Sequence, residues 1–189
     1  ARKYFANSAS ASFIPIFHFY DSLSRLAVYP STPKSQRRRL LKRVTANQKK
    51  MKKWAYHAPM NHQHKYDLVE AERARVLNRD ADAMEYYDHA IAGARENEYV
   101  NEEALALELT AKFYFEKGRE RIAQIYMMDA RHAYLRWGAM AKVKDLDERY
   151  PQLLRKSETA TSSLDDTMTD ATSTGERKGS VLDLSTVMK

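Results

Sequence analysis

The sequence predicts an all-α protein in which antiparallel helical hairpins stack on one another. Glycine and proline contribute only five residues each to a chain of 189, which is too few for a turn-rich β architecture. The prolines leave two long stretches, 34–58 and 60–150, free of this residue. Because an interior proline costs a helix about 3 kcal/mol, both stretches can form long helices, and apolar residues recur in them at helical intervals.

The predicted helices follow one another along the chain. An N-terminal helical segment occupies residues 1–33, with its helix at about 13–28. Residues 34–156 form a helical repeat region, with helices at about 36–57, 62–78, 81–96, 102–117, 120–137 and 140–149. Long helices that are joined by short turns pack antiparallel to their sequence neighbours. We therefore expect consecutive helices to form antiparallel hairpins.

Residues 101–138 carry the clearest signals for helix ends and buried faces. Asn101 is the expected N-cap of the helix at 102–117, and two acids follow it at the positive end of the helix dipole. Gly118 and Gly138 stand where helices close with a left-handed residue. The residues that we expect to be buried are Ala104, Leu105, Leu109, Ala111, Phe113 and Phe115 in this helix, and Ile122, Ile125, Tyr126, Ala130, Ala133, Tyr134 and Trp137 in the next.

A weak internal period of 40 residues relates the middle hairpins. A shift of 40 carries Asn78 onto Gly118, Ala71 onto Ala111, Ala83 onto Ala123, Tyr86 onto Tyr126 and Ala90 onto Ala130. Alanines that alternate with aromatic residues let paired helices approach closely and fill the remaining gaps. The period exceeds the roughly 34 residues of a regular tetratricopeptide repeat. We therefore predict a tetratricopeptide-like solenoid, with a plain helical bundle as the alternative.

The composition changes after the repeat region. Residues 157–180 are rich in Ser, Thr and Asp and contain almost no large apolar side chain. Such a segment cannot offset the entropy of ordering, so it is predicted to be a disordered linker. Apolar spacing resumes at 181–189, which we interpret as the start of a helix leading into a further domain, and the chain as a fragment of a longer protein.

Positive charge is concentrated in one predicted helix. Residues 34–53 contain ten Lys and Arg residues and no acid, although the formal net charge of the whole chain is +7. Such a helix face can bind nucleic-acid phosphates or acidic lipid headgroups. A solvated outer face, or a docking surface for an acidic neighbouring domain, explains the same pattern. The candidate electrostatic face comprises Arg37, Arg38, Arg39, Lys42, Arg43, Lys49, Lys50, Lys52 and Lys53.

The residue patterns of catalytic and metal sites are weak. The chain has no cysteine, which excludes thiolate zinc sites and is typical of a reducing compartment. It also lacks a phosphate-binding glycine loop and a G-x-S-x-G motif. His57, His62 and His64 cluster without an acidic ligand at zinc-site spacing, and His89 lacks the acid and proline that follow a phosphoacceptor histidine. We expect no catalytic residue, no metal site and no cofactor in this chain.

Tyrosines supply the candidate protein-binding surface. They exceed what a small core needs, and several fall on neighbouring predicted helices. Packing in the core is the alternative role. The candidate groove is lined by Tyr86, Tyr87, Tyr114, Tyr126 and Tyr134.

Three strings carry a resemblance to one family. They are KWAYHAPMNH at 53–62, EYVNEEALALELTAKFY at 98–114 and RWGAMAKVKDLDERYPQLL at 136–154. They resemble the helical region of large multidomain bacterial signalling proteins, typically cyanobacterial. These proteins run from a serine/threonine kinase domain through an AAA-type ATPase module and this helical stretch to a GAF domain and a histidine kinase. The resemblance covers about residues 13–189 apart from the linker. Residues 36–53 depart from it, because the family mixes Glu with Lys there.

The resemblance implies a noncatalytic scaffold inside a cytoplasmic sensor kinase of a two-component phosphorelay. The scaffold would couple the ATPase switch to the GAF and histidine kinase domains. The chain itself would be no enzyme, and ATP would bind only in other domains of the parent kinase. Expected partners are proteins or neighbouring domains of the same chain, whereas nucleic-acid binding and membrane insertion are not expected. The alternative function is electrostatic binding of nucleic acid or an anionic membrane through the basic helix 34–53.

Overall fold

The computed structural model describes residues 2–154, and the side chains of residues 13–154. Its helices are α1 (Arg2–Val28), α2 (Lys34–His57), α3 (Pro59–Val76), α4 (Asp80–Glu96), α5 (Val100–Glu116), α6 (Glu120–Trp137), α7 (Met140–Arg149) and α8 (Pro151–Leu154). Strands are absent from this part of the chain, and each helix packs against its sequence neighbours. The predicted all-α architecture of paired helices is confirmed. The predicted linker at 157–180 and the helix start at 181–189 lie outside the described residues.

A turn of constant geometry joins the helices from α3 to α7. Its left-handed residue has a positive φ, and the four examples fall 20 residues apart at Asn78, Glu98, Gly118 and Gly138. In each turn the next backbone N–H donates to the carbonyl five residues earlier, at 2.9 to 3.0 Å. This bond is the mark of a Schellman closure. The following helix always begins two residues after the left-handed residue. Two successive intervals of 20 residues between these turns add up to the 40-residue period of the sequence.

The same turn explains why the predicted N-cap is wrong. Asn101 lies in the first turn of α5, which begins at Val100 after Tyr99 and has no side-chain hydrogen bond at its cap. The backbone closure around Glu98 fixes where the helix starts, because the chain leaves the left-handed residue in a set direction. Here the turn geometry determines the helix start without a capping side chain.

Helix α1 is longer than predicted. We expected it to begin near residue 13, but it begins at Arg2 and contains Pro15 in its interior. Proline removes one backbone donor from a helix and is unfavourable there, yet the helix continues through it. The predicted start of the helix near residue 13 is therefore wrong.

Small residues at equivalent positions of the repeat are buried between the helices. The equivalent pairs Ala71 and Ala111, Ala83 and Ala123, and Ala90 and Ala130 are all buried, as the 40-residue period predicts. In α5 the predicted buried residues either lie in the core or pack against it as partly buried side chains. In α6 the prediction is partly wrong, because Ile122, Ile125 and Trp137 are exposed. Ala130, Ala133 and Tyr134 are buried as predicted, and Ala123 and Met127 are buried with them.

Helices α3 and α5 bury many charged side chains. Each lies between other helices, because α3 packs against α1, α2, α4 and α5, while α5 packs against α3, α4 and α6. Their acidic residues are therefore covered by neighbours instead of facing solvent. The buried charged or polar residues of these two helices are His64, Lys65, Asp67, Glu70, Glu72, Glu102, Glu103, Glu108 and Thr110.

Candidate functional site

A groove with a volume of about 710 Å³ lies where α2, α3 and α4 meet. Charged side chains of both signs and two tyrosines line it. The lining residues are Lys52, Gln63, Tyr66, Asp67, Glu70, Arg73, Arg79, Asp82, Glu85, Tyr86 and His89.

Two buried carboxylates of α3 lie against this groove, one helical turn apart. Asp67 is 4% exposed and Glu70 is 5% exposed. Gln63 donates to both oxygens of Asp67, at 2.9 and 3.1 Å. Glu70 accepts hydrogen bonds from Gln48 at 2.9 Å and from Arg73 at 3.0 Å. Burial raises the pKa of Asp67 above its ordinary value, because the charged form loses hydration.

The opposite wall of the groove comes from α4 and the turn before it. Arg79 pairs with Asp82 at 3.2 Å, and both side chains are almost half exposed. Tyr86 is half-buried, and burial raises the pKa of its hydroxyl. The groove therefore combines buried carboxylates, solvent-accessible cations and an aromatic face. This combination can hold a peptide segment through basic side chains and backbone groups.

Three of the five predicted groove tyrosines, Tyr87, Tyr114 and Tyr134, lie in the core. Tyr87 is fully buried, and its hydroxyl donates to the carboxylate of Glu72. Tyr134 is 4% exposed and donates to Glu108 at 2.7 Å. In both cases burial raises the pKa of the tyrosine, and the adjacent carboxylate reinforces the shift. These two hydroxyls donate hydrogen bonds to buried carboxylates, and the two side chains do not line a groove.

The two tyrosines outside the core, Tyr86 and Tyr126, lie in separate places, and Tyr126 stacks on the buried Tyr114. The rings of Tyr114 and Tyr126 stack with their centroids 5.6 Å apart and their planes at 7°. The Tyr126 hydroxyl donates to Asp88 at 3.4 Å, and burial together with that acid raises its pKa to about 12. Tyr86 alone of the five lines the charged groove. The structure thus does not bring the five tyrosines together on one surface.

A buried cluster at the start of α5 ties this helix to α3. Lys65 pairs with Glu102 at 2.7 Å, and His64 also bonds this carboxylate. Burial alone would raise the pKa of Glu102, but the bonds from His64 and Lys65 outweigh it and lower the pKa. The Lys65 ammonium also lies 4.2 Å from the centre of the Tyr99 ring, and Tyr99 donates to Asn61 at 2.8 Å. The cluster fixes the packing of the two hairpins.

A second buried carboxylate of α5 binds groups from three helices. Glu108 contacts Lys112 at 2.6 Å, Lys142 at 2.9 Å and Tyr134 at 2.7 Å. Burial opposes its ionisation, but the two ammonium groups outweigh burial and hold its pKa below the ordinary value. Glu108 therefore joins α7 to the α5–α6 hairpin.

The candidate electrostatic face lies on the outer side of α2. Val44, Met51 and Ala55 of this helix are buried, whereas the basic residues after Arg37 are all exposed. Arg37 itself is half-buried and donates to the carbonyls of Thr32 and Pro30, at 2.9 and 2.8 Å. Among residues 13–154, the basic groups of α2 form no ion pair within 4.0 Å. Their charge is available to a partner.

The clustered histidines do not converge. His64 is buried against Glu102, while His57 is exposed at the end of α2. His62 is half-buried, and burial lowers its pKa. Within the described part of the chain, no three His, Asp or Glu side chains are placed to bind a metal ion together.

Sequence reasoning missed the groove and the buried acids. Asp67, Glu70 and Glu108 stand at positions that a helix-by-helix reading assigns to solvent. One signal in the sequence could have revealed these buried acids. Helix α3 lacks a clean apolar stripe, although one helix precedes it and another follows it in the chain. A helix without such a stripe can be covered on most of its circumference by neighbours. The positions of the partners, such as Gln48, depend on tertiary packing.

Comparison with known proteins shows one similarity to a signalling protein. Over 61 residues the chain is 33% identical to the hybrid signal transduction histidine kinase G of Dictyostelium discoideum. The matching part is 32% of this chain, and the chain spans about 2% of the length of that kinase. No protein-family model matches the chain, and no solved structure matches it.

Proposed function

We propose that this chain is a noncatalytic scaffold of a multidomain, cytoplasmic sensor kinase. It would lie between an AAA-type ATPase module and a GAF domain, and it would transmit conformational change towards a histidine kinase domain. The chain would have no activity of its own, and ATP would bind in other domains of the parent protein. Its partners would be proteins or neighbouring domains.

Two findings support this proposal. The similarity to a hybrid histidine kinase points to signal transduction. The groove between α2, α3 and α4 supports a binding role, because its buried carboxylates lie beside accessible cations among packed helices. A rigid helical stack presents such a surface to a partner without a large entropic cost of ordering.

The domain context can be tested from the flanking coding sequence. The proposal expects an ATPase module to be encoded before Ala1 and a GAF domain soon after Lys189. A stop codon directly after Lys189, or flanking domains without a role in signalling, would contradict it.

The binding role can be tested with the neighbouring domains as ligands. Calorimetry of the chain against each purified flanking domain should give saturable binding. Glu85→Arg reverses a charge in the groove and should weaken that binding about ten-fold, as expected for a like-charge contact at an interface. Glu148→Arg is the matched control, because this exposed acid lies on α7 outside the groove. Equal binding by the two variants would show that the groove is not the contact surface.

One observation favours a second function. The exposed cations of α2 have no carboxylate partners among residues 13–154, so electrostatic binding of an anionic partner stays a candidate. Most of these cations lie outside the groove, although Lys52 also lines it.

A further inference from the structure

The middle of α1 exposes large apolar side chains. Phe13 is 68% exposed, Phe17 is 65% exposed and Ile14 is 48% exposed. On a helix these positions lie close together, because residues three and four apart are neighbours. A contiguous apolar surface of this kind is uncommon on a soluble domain without a partner. We call these three residues the apolar row of α1.

A row of cations runs along the adjacent side of α2. Arg39, Arg43 and Lys50 follow one another at intervals of four and seven residues, so they share one side of the helix. All three are exposed. The opposite side of α2 packs into the core through Val44 and Met51. We call these three basic residues the cation row of α2.

The two rows border each other on the outer face of the α1–α2 hairpin. His18 lies between them, since its Nε2 is 3.4 Å from the Lys50 ammonium and its ring centre is 5.6 Å from that of Phe17. Asn47 bonds both His18 and Asp21, at 2.9 and 2.7 Å. These contacts hold the two helices in register, so the apolar row and the cation row form one surface.

The combination of the apolar row and the cation row indicates which kind of partner fits this surface. An anionic bilayer accepts apolar side chains at the boundary of its acyl chains, while its headgroups attract Lys and Arg. A nucleic-acid backbone would use the cation row but would leave the phenyl rings of Phe13 and Phe17 without a favourable contact. A protein partner would need an acidic patch beside an apolar pocket of matching shape, whereas an anionic bilayer offers both properties over its whole surface. In addition, none of the helices within residues 2–154 has the length and apolarity required to cross a bilayer, so the contact would be peripheral.

We infer that the outer face of the α1–α2 hairpin binds the surface of an anionic phospholipid bilayer, with the apolar row entering the interface and the cation row contacting the headgroups. This inference does not depend on the proposed scaffold role; it rests on the second candidate function, whose α2 cations it shares, and names a bilayer as the anionic partner.

Vesicle sedimentation with the full chain tests the inference. The chain should bind phosphatidylcholine vesicles that contain about 30% phosphatidylserine and should not bind pure phosphatidylcholine, because only the first attracts cations. Raising the salt from about 0.05 M to about 0.5 M should weaken the binding, since salt screens the attraction.

Two variants test the two rows separately. Lys50→Glu should lower the partition onto anionic vesicles at least about five-fold, because it removes one cation and adds a repulsive charge. Phe17→Ser should lower it about ten-fold through loss of a buried apolar contact. Matched controls are Lys144→Glu on α7 and Ile125→Ser on α6. The Lys144 side chain is 78% exposed, and Ile125 is 61% exposed. Both controls should bind like the wild type, and circular dichroism should show the same melting for all four variants.

Several outcomes would overturn the inference. One is failure of the wild type to bind anionic vesicles at low salt. Another is a loss with Lys50→Glu but none with Phe17→Ser; retention of duplex DNA at the same salt would then assign the cations to nucleic acid. A third is sedimentation of the wild type as a dimer and of Phe17→Ser as a monomer, which would assign the apolar row to a second copy of the chain. Equal losses in the controls would show that the binding is nonspecific.

Discussion

At the residue scale, Glu98 is the least suitable of the four left-handed turn residues. Its φ is 62°, a conformation that costs residues with a Cβ about 1 to 2 kcal/mol, whereas glycine adopts it freely. The carboxylate also lies at the negative end of the α4 dipole. We expect Glu98→Gly to raise the free energy of unfolding by about 1 kcal/mol. Urea denaturation at pH 7 measures this gain as a higher midpoint.

Glu98→Gln serves as the control for charge. It removes the carboxylate but keeps the Cβ, so it should gain only about 0.3 to 0.5 kcal/mol. A lower urea midpoint for the glycine variant would show that the turn does not carry the strain that its φ indicates.

Glu108 makes stability depend on pH. Its carboxylate has a lower pKa in the folded protein than in the unfolded chain, so the stabilisation is present above the unfolded value of about 4.3. It is lost as the pH falls through the folded value. Glu108→Gln should cost about 2 kcal/mol at pH 7, since it removes the charge from bonds to two ammonium groups. This cost should shrink as the pH falls below about 4.3.

Urea midpoints of the wild type and Glu108→Gln at a series of pH values measure the effect. Other acids, such as Glu102, titrate in both proteins, so the difference between the two curves isolates Glu108. A difference that stays constant down to the acid limit would mean that the variant acts through packing and not through charge.

Single residues also show where sequence reasoning fails. Gly118 and Gly138 were predicted to be left-handed, and this is confirmed because glycine signals that conformation directly. Glu98 carries no such signal, although it occupies the equivalent turn. Ile122 and Ile125 were predicted to be buried by their apolarity, but both are exposed, because α6 turns Ala123 and Met127 towards the core. The local sequence does not show which side of α6 packs against α5.

At the element scale, the closest helix contacts depend on alanine. Ala111 of α5 is fully buried, and its equivalent one repeat earlier, Ala71, is also fully buried. Ala111→Leu inserts three carbons where no space exists, so it should lower the free energy of unfolding by about 2 kcal/mol. Ala92→Leu on the exposed side of α4 is the matched control and should change it by less than about 0.5 kcal/mol. Thermal denaturation of both variants checks this expectation, and equal melting temperatures would contradict it.

The helices themselves were largely predictable. Their existence and approximate limits follow from the spacing of proline and glycine and from apolar periodicity, which are local properties of the chain. The contacts that each helix makes with the other helices were less predictable. The groove floor needs Gln48 of α2 beside Glu70 of α3, and no local pattern links two residues on different helices. The candidate site was therefore found only in the folded protein.

At the scale of the whole molecule, charged side chains link the successive hairpins. Glu102 joins α5 to α3 through Lys65, and Glu108 joins α5 to α7 through Lys142. Removal of one partner from such a buried pair is strongly unfavourable, because the remaining charge is left without compensation. Each hairpin thus depends on its neighbour for both apolar cover and charge neutralisation, so the stack is expected to lose stability when an end element is removed.

The C-terminal helices offer the direct test of this dependence. Helices α7 and α8 pack on α6 and bury Val143, Leu146 and Leu153. A chain that ends at Gly138 loses these three side chains, so it should be less stable by about 5 kcal/mol than a chain that ends at Leu154. Lys142→Ala in the longer chain is the control for the ion pair alone and should account for the smaller part of the loss. Urea denaturation followed by circular dichroism measures all three proteins. A shorter chain with an unchanged midpoint would show that α7 and α8 are accessory to the fold, and that the helices up to α6 hold together without them.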